Sequence, residues 1–467
     1  MKHSTLLPQA VRRITESIIS AGGRPVLVGG AVRDYLIKLD PKDFDIEVYG
    51  LKANELILAL ERVAKVYAVG KSFGVLKVSI DGMDIDVSLP RSEKKVSSGH
   101  RGFIIDYDHT MSFTDAAKRR DFTINAMGID LRSGDILDPW GGLIDLESGY
   151  IRHVSDSFDE DPLRPLRACQ FAARFGFAIA EETLVKCRSL QVEMSDLSRE
   201  RIWEEIKKLL LKSPNPSIGI KAMESTGVLI LFPELERLRG VFHNPISHPE
   251  GDVWTHNNIV LDSCAAICRE LKLNDDEALV LLLSALCHDL GKPETAIMVD
   301  GVWKNPEHEM VGVVPSQTLL TRLGCPINMI QRVLPLVREH GQPLHLWRQN
   351  QIHPVADGII RRLALRVPIQ TLCQLALADF HGRTSSEAGG SCPMIEWLSD
   401  RASSLGVLYN KPVPILLGRH LQDMGVKPGP HMGQILNDAF QAQLDGDFGT
   451  LSGAIAWVQS HSFIKST

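Results

Sequence analysis

The chain reads as an α/β head followed by an almost wholly helical remainder. Two observations predict this. Segments with strand character, alternating or short and fully apolar, are confined to roughly the first 150 of its 467 residues. Beyond residue 161 the apolar positions recur at helical spacing instead, and no further strong strand is evident. The length suits two to four domains at about 100–200 residues each. The boundaries expected are a head over 1–160, a helical neck and body over 161–240, a second helical block over 252–385 and a helical tail over 386–467.

The elements follow in order. Residues 5–21 carry apolar positions at helical spacing and stop at Gly22-Gly23. Residues 25–30 (PVLVGG) read as a buried strand running into a glycine turn, and 31–38 as a short helix. Residues 44–49 and 74–80 alternate as strands, and 84–89 pairs with the latter across Asp81-Gly82. Residues 162–175, 199–212 and 217–224 are amphipathic and helical, while the Pro- and His-rich stretch 241–252 (VFHNPISHPEGD) reads as a linker or loop. Helices run from Trp254 to about Phe380, and 384–391 (TSSEAGGS) is a flexible connection.

Composition narrows the function. Hydrophobic residues at 44% and charged residues at 23% are ordinary for a globular protein. The net charge of -6 argues against a uniformly basic nucleic-acid coat, so RNA binding would rest on a local basic stripe. The eight cysteines include no CxxC pair, which speaks for a reducing cytoplasm rather than a disulfide framework or zinc knuckle. The longest apolar stretch, 278–287, falls far short of the ~20 residues that span a bilayer. The N-terminus is polar and lacks a signal-peptide core, so no membrane partner is expected.

Phosphoryl-type transfer needs cations that bridge a triphosphate, and magnesium is held by a few carboxylates plus phosphates. Asp43 and Asp45 lie two apart at the start of a strand, where period-two geometry points both at one place, and Asp86 on a neighbouring strand supplies a third. Gly29-Gly30 lets backbone amides approach phosphate at a helix N-terminus, with Arg33 one turn in. A lone DxD is more often a solvated acidic turn; its combination with GGAVRD upstream and RRDFTINAM downstream is what raises it. Gly70-Lys71-Ser72 ends like a P-loop, but Lys65 stands where the first glycine belongs.

Five segments, LVGGAVRD (27–34), KDFDIEVYG (42–50), KRRDFTINAM (118–127), DILDPWGGLIDL (135–146) and EDPLRPLRACQFAARF (160–175), resemble successive motifs of class II tRNA nucleotidyltransferases. These are the CCA-adding enzymes, with bacterial poly(A) polymerases as close relatives. The resemblance implies a polymerase-β-like head in which Asp43 and Asp45 hold Mg2+ with Asp86 beside them. It places Gly30 and Arg33 on the triphosphate and Arg120 on the incoming nucleotide. Asp161 and Arg164 would meet the Watson–Crick edge of ATP or CTP, with Arg167 matching a further family arginine. Physically, fixed donors and acceptors reject wrong bases because unpaired buried groups are costly. Asp161 also suits a helix cap before Pro162. Gln170 stands where the family pattern has arginine, which leaves the nucleotide preference open.

The second half carries its own chemistry. Residues 278–291 (ALVLLLSALCHDLG) read as a buried helix ending in His288-Asp289, with Gly291 and Pro293 as stop signals. A polar pair there needs partners, and metal coordination would satisfy it. With His256 upstream and Asp379 downstream, the set H…HD…D resembles the HD phosphohydrolase superfamily, which implies a divalent cation on His256, His288, Asp289 and Asp379. The mixed donor set suits Ni2+, Co2+ or Mn2+. His308 and His340 are further ligand or phosphate candidates. A nucleotidyltransferase head before an HD domain resembles CCA-adding enzymes of the gammaproteobacterial type, in which 2′-nucleotidase and cyclic phosphodiesterase activities are found.

The partners implied are tRNA, ATP and CTP, with the protein a monomer or homodimer. Poly(A) polymerases carry a strongly basic tail, and residues 400–467 are not basic. A full-length segment 91–118 disfavours a CC-only enzyme. HD-containing nucleotide-signalling enzymes place the HD domain first and lack EDPLR and RRDFTINAM. A silent RNA-binding protein would not need intact Asp43, Asp45, Arg33 and Arg120.

Overall fold

The computed structural model describes residues 7–41, 43–69, 75–95, 103–383 and 392–461. The P-loop lookalike at 70–72 and the expected connection 384–391 lie outside them. The chain separates into two compact units, Met1–Glu205 with Ile218–Leu231, and Ile206–Ser217 with Phe232–Thr467. The division runs through the helix Arg199–Lys212.

In the first unit the helix Gln9–Ser20 buries Ala10, Val11, Ile14 and Ile18, the stripe its spacing predicts. It ends where Gly22 takes a φ of +90°, a conformation that side chains with a Cβ avoid. Strands β1 (Arg24–Val28), β2 (Asp45–Tyr49), β3 (Lys65–Val69), β4 (Val75–Ile80), β5 (Met83–Ser88), β8 (Gly128–Asp130) and β9 (Ile136–Leu137) form one mixed sheet in the order β3-β4-β5-β2-β1-β8-β9. Strands β6 (Arg91–Lys95) and β7 (Phe103–Tyr107) pair separately. The expected β4–β5 hairpin is present across Asp81-Gly82, both at positive φ. The β2–β5 pair is parallel, and it sets Asp45 opposite Asp86.

Two expectations need correction. Strand β2 begins at Asp45, so Asp43 lies on the approach to the ladder rather than within it. Short strands also occur beyond residue 161: Ala178–Ile179 pairs with Tyr150–Ile151, and Ile297–Val299 forms a hairpin with Val302–Lys304. The hairpin turns through Asp300-Gly301, both at positive φ, a Asp-Gly signal that was present in the sequence. Its strands are three residues each, too short for alternation to show.

In the second unit the helices Val253–Glu270, Asp275–Cys287, Ile327–Glu339 and Ile369–His381 pack together. Asn274 caps the second of these by accepting from the amides of Asp276 and Glu277, three acidic residues fill its first turn, and every residue from Ala278 to Cys287 is buried. An all-apolar helix of this kind belongs in the middle of a bundle. The tail forms its own small core around Leu421, Ile435, Ala454 and Val458.

Candidate functional site

The head site grows from strand register. One cross-strand row runs Lys77 (β4), Asp86 (β5), Asp45 (β2) and Val28 (β1). Partners in register share a sheet face, so Asp86 and Asp45 stand side by side, both exposed. The chain leaves β1 after Val28 straight into Gly29-Gly30, which places the glycine turn beside the acidic row. Gly29 has φ +74° and ψ -141°, and a Cβ there would lie 3.2 Å from Arg120 Nη1 and 3.5 Å from Asp45 Oδ2. Glycine therefore serves both the turn and the close approach. Although Asp45 is exposed by surface area, the atoms crowded around its carboxyl desolvate it and push its pKa up, Arg120 opposes this, and Asp86 and Asp43 add to it. Crowded carboxylates of this kind can accommodate a divalent cation.

Arg33 lies elsewhere. Its guanidinium is buried at 3% exposure, bonded to Asp34 at 2.7 and 2.9 Å and to Asn125, and stacked against Phe171 and Phe175. Asp34 also receives Arg174 at 3.0 Å. Nearby, Asp121 accepts from Asn125 at 3.0 Å and from Arg167 at 2.7 Å, and Arg167 reaches Glu205 at 3.3 Å. Burial alone would raise the Asp121 carboxyl; Arg167 outweighs it and holds it below the usual range. These charges tie the helix Arg164–Phe175 to the Gly29-Gly30 turn and the RRD segment.

Asp161 and Arg164 are close in sequence but separately engaged. Asp161 pairs with Arg201 at 2.8 Å and accepts from the Leu163 amide at 3.1 Å, so it caps a turn before the helix, whose first turn contains Pro165 rather than Pro162. Arg164 donates to the carbonyls of Ser157 and Arg119, the latter at 2.8 Å. Gln170 is buried on the same helix at 2% exposure, and its Nε2 has no hydrogen-bond partner. Sequence reasoning missed Asp34, Asp121, Asn125 and Glu205; the first three sat inside the quoted motifs, where their partners were not readable.

The second unit gathers a denser cluster. His256, in the first turn of its helix, is fully buried, with Nε2 3.0 Å from Asp379 Oδ1 and 3.8 Å from Asp289 Oδ2. His288 and Asp289 follow the buried helix at 1% exposure each. His308 and His340 join them: His308 Nε2 is 3.4 Å from Asp289 Oδ1. Donor atoms of His256, His288 and Asp289 lie within 4.8 Å of one another, as do those of Asp289, His308 and His340, so the two sets share Asp289. Burial opposes the charge on Asp289, but His288 and the Lys292 ammonium at 2.7 Å hold its carboxyl well below the ordinary range.

Hydrogen bonding decides what these imidazoles offer. Nδ1 of His288, His308 and His340 lies 2.7, 2.8 and 2.7 Å from the carbonyls of Ala285, Asn305 and Val337. A carbonyl only accepts, so each Nδ1 carries a proton and each ring turns its Nε2 inward, where it can serve a cation. Burial keeps His308 and His340 neutral, the latter pushed down to about 4. The Nε2 atoms of His308 and His340 stand 3.3 Å apart, and His288 Nε2 is buried 3.3 Å from Asp289 Oδ2. Imidazole nitrogens and carboxylates converging in one buried cluster fit a divalent cation.

The stretch 241–252 is the loop that the sequence allowed, and it lies against this site rather than merely linking two blocks. Glu250 Oε1 accepts from His256 Nδ1 at 2.6 Å and meets His248 Nδ1 at 3.0 Å, and His243 stacks on His248. The abundance of His and Glu in that loop was the available signal. Gly291 is also more than a stop signal: its φ is an ordinary -85°, but a Cβ there would lie 2.1 Å from the His308 carbonyl.

Fold and head site together define a nucleotidyltransferase with a polymerase-β-like head. The family model for the poly A polymerase head domain matches residues 26–152, and that for the probable RNA and SrmB-binding site of polymerase A matches 176–238. The multifunctional CCA protein of Pasteurella multocida (strain Pm70) is 37% identical over 370 residues, covering 77% of this chain and 84% of its own. That of Haemophilus influenzae (strain PittGG) is 36% identical over 383 residues, 80% of this chain and 88% of its own. The fold is that of the Bacillus stearothermophilus CCA-adding enzyme solved with CTP, at a TM-score of 0.66 and 21% identity over 99% of this chain and 98% of that one. The chain belongs to the family of multifunctional CCA proteins, the CCA-adding enzymes.

Proposed function

We propose that the chain adds CCA, or its terminal A, to the 3′ end of tRNA from CTP and ATP without a nucleic-acid template. The observation that carries this is the row Asp45–Asp86 beside Gly29-Gly30, on the head of a CCA-protein family member. Asp43, Asp45 and Asp86 would hold magnesium, which when bound would offset triphosphate charge and lower the pKa of the attacking hydroxyl. Gly30 and its neighbour offer backbone amides to the phosphates, and Arg120 supplies positive charge next to Asp45. Arg33 acts from behind, fixing the turn through Asp34 and Asn125. Asp161 and Arg164, held by Arg201 and by two carbonyls, present fixed groups to the base edge, and Arg167 braces their helix. The finer division into head, neck, HD domain and tail belongs to the same reading.

The second unit is read as a metal-dependent phosphohydrolase for 2′-phosphate or 2′,3′-cyclic phosphate ends. The support is the convergence of His256, His288, Asp289 and Asp379 in the buried cluster described above, and imidazole–carboxylate donors favour Ni2+, Co2+ or Mn2+. Buried free cysteines accord with a reducing cytoplasm, and no helix among the described residues is long and apolar enough to cross a membrane.

The decisive experiment supplies tRNA ending before CCA, or ending in CC, with each labelled nucleotide, and sequences the product. A CCA or single-A extension supports the proposal; an A tract on any RNA would make the chain a poly(A) polymerase. Release of phosphate from 2′-AMP, tested with each metal and lost in His288→Ala, tests the second site.

A further inference from the structure

A cavity of about 280 Å3 opens onto the His/Asp cluster, with Asp289, His308, His340 and Asp379 in its wall. It lies just below the ~300–1,000 Å3 usual for small-ligand sites. Its lining carries both signs of charge, with Glu309 beside two cations. Lys304 and Arg348 line it, both exposed and without an ion-pair partner among the described residues. Trp303 lines it too. This indole is carried by the hairpin Ile297–Val299/Val302–Lys304, which the tight Asp300-Gly301 turn fixes between two segments bearing cluster residues, Asp289 before it and His308 after. Phe242, from the histidine-rich loop, backs the indole in a stacked arrangement, centroids 5.9 Å apart and rings inclined by 25°. Phe242 is itself 57% exposed, so the stacked pair faces solvent.

A hydrolytic centre for small phosphate esters alone would need the cation cluster and little else. This one adds a propped aromatic face and two free cations at the same mouth. We propose that Trp303, supported by Phe242, is a stacking platform for the base of a nucleoside phosphate whose phosphate faces the His/Asp cluster, with Lys304 and Arg348 attracting the neighbouring phosphates of an RNA 3′ end. The inference rests on reading the cluster as a phosphohydrolase for 2′-phosphate or 2′,3′-cyclic phosphate ends and adds the residue that holds the base, whatever its identity, because every base offers a π-face.

The test compares the full chain, loaded with Co2+, on 2′-AMP and on glycerol 2-phosphate, a secondary phosphate ester without a base. Wild type should prefer 2′-AMP in kcat/KM. Trp303→Ala should reduce that preference roughly ten-fold or more, chiefly through KM, the size expected for one lost base–aromatic stack. Trp303→Phe should retain most of it, which a merely structural role would not require. Calorimetric binding of adenosine to the same Co2+-loaded proteins is the second readout. Absence of a preference in wild type, or an equal preference in Trp303→Ala, overturns the platform. If wild type hydrolyses neither ester but binds adenosine in a Trp303-dependent way, the phosphohydrolase reading fails and the platform stands. If it neither hydrolyses nor binds in that way, both fall.

Discussion

Glu250 offers the most informative single perturbation. Its carboxylate is 1% exposed and accepts from the fully buried His256 at 2.6 Å. Burial alone would raise its pKa, but the bonds to His248 and His256 hold it well below the usual carboxylate range. The bond to Nδ1 fixes the His256 tautomer and aims Nε2 at Asp379 and Asp289. In Glu250→Ala the His256 N–H loses its partner, at a cost of ~1–3 kcal/mol, and the ring loses the charge that makes it a stronger donor. The expected result is a metal affinity lowered about 10–100-fold, the range for outer partners of ligating histidines. Glu250→Gln keeps an acceptor without the charge and should fall between. Competition with a fluorescent chelator measures the affinity, with circular dichroism confirming the fold. A folded Glu250→Ala protein that binds Co2+ as tightly as wild type would refute the orienting role.

Three further outcomes are expected. Asp45→Ala and Asp86→Ala should abolish nucleotide addition while thermal stability stays near wild type, since both side chains are exposed; a folded variant with near-wild-type addition would misassign the site. Arg164→Ala should relax the choice among the four nucleotides more than it weakens triphosphate binding, and an equal loss for all four would reduce Arg164 to bracing the Ser157 and Arg119 carbonyls. Gly291→Ala must displace the His308 carbonyl from a 2.1 Å contact, so metal bound per chain should fall while CCA addition persists; unchanged metal content would show that the backbone yields harmlessly.

Much of the molecule was legible from local pattern. The strand–Gly-Gly–helix opening, the β4–β5 hairpin and the buried helix before His288-Asp289 depend on periodicity and turn chemistry within a dozen residues, and each formed near its expected place. The motifs likewise name Asp45, His256, His288, Asp289 and Asp379, and strand alternation names Asp86. What sequence alone could not decide was partnership across long separations. Asp86 faces Asp45 because β2 and β5 pair in parallel, and a one-residue slip would turn one of the two to the other face. Arg33 turned inward because Asp34, Asn125 and two phenylalanines from a distant helix surround it, a desolvated cation that only tertiary packing can neutralise. His308 and His340 reach Asp289, and Glu250 reaches His256, through helix packing that no spacing rule encodes. Local propensity specifies the elements; register and burial, which act between residues far apart in the chain, specify which charged groups meet.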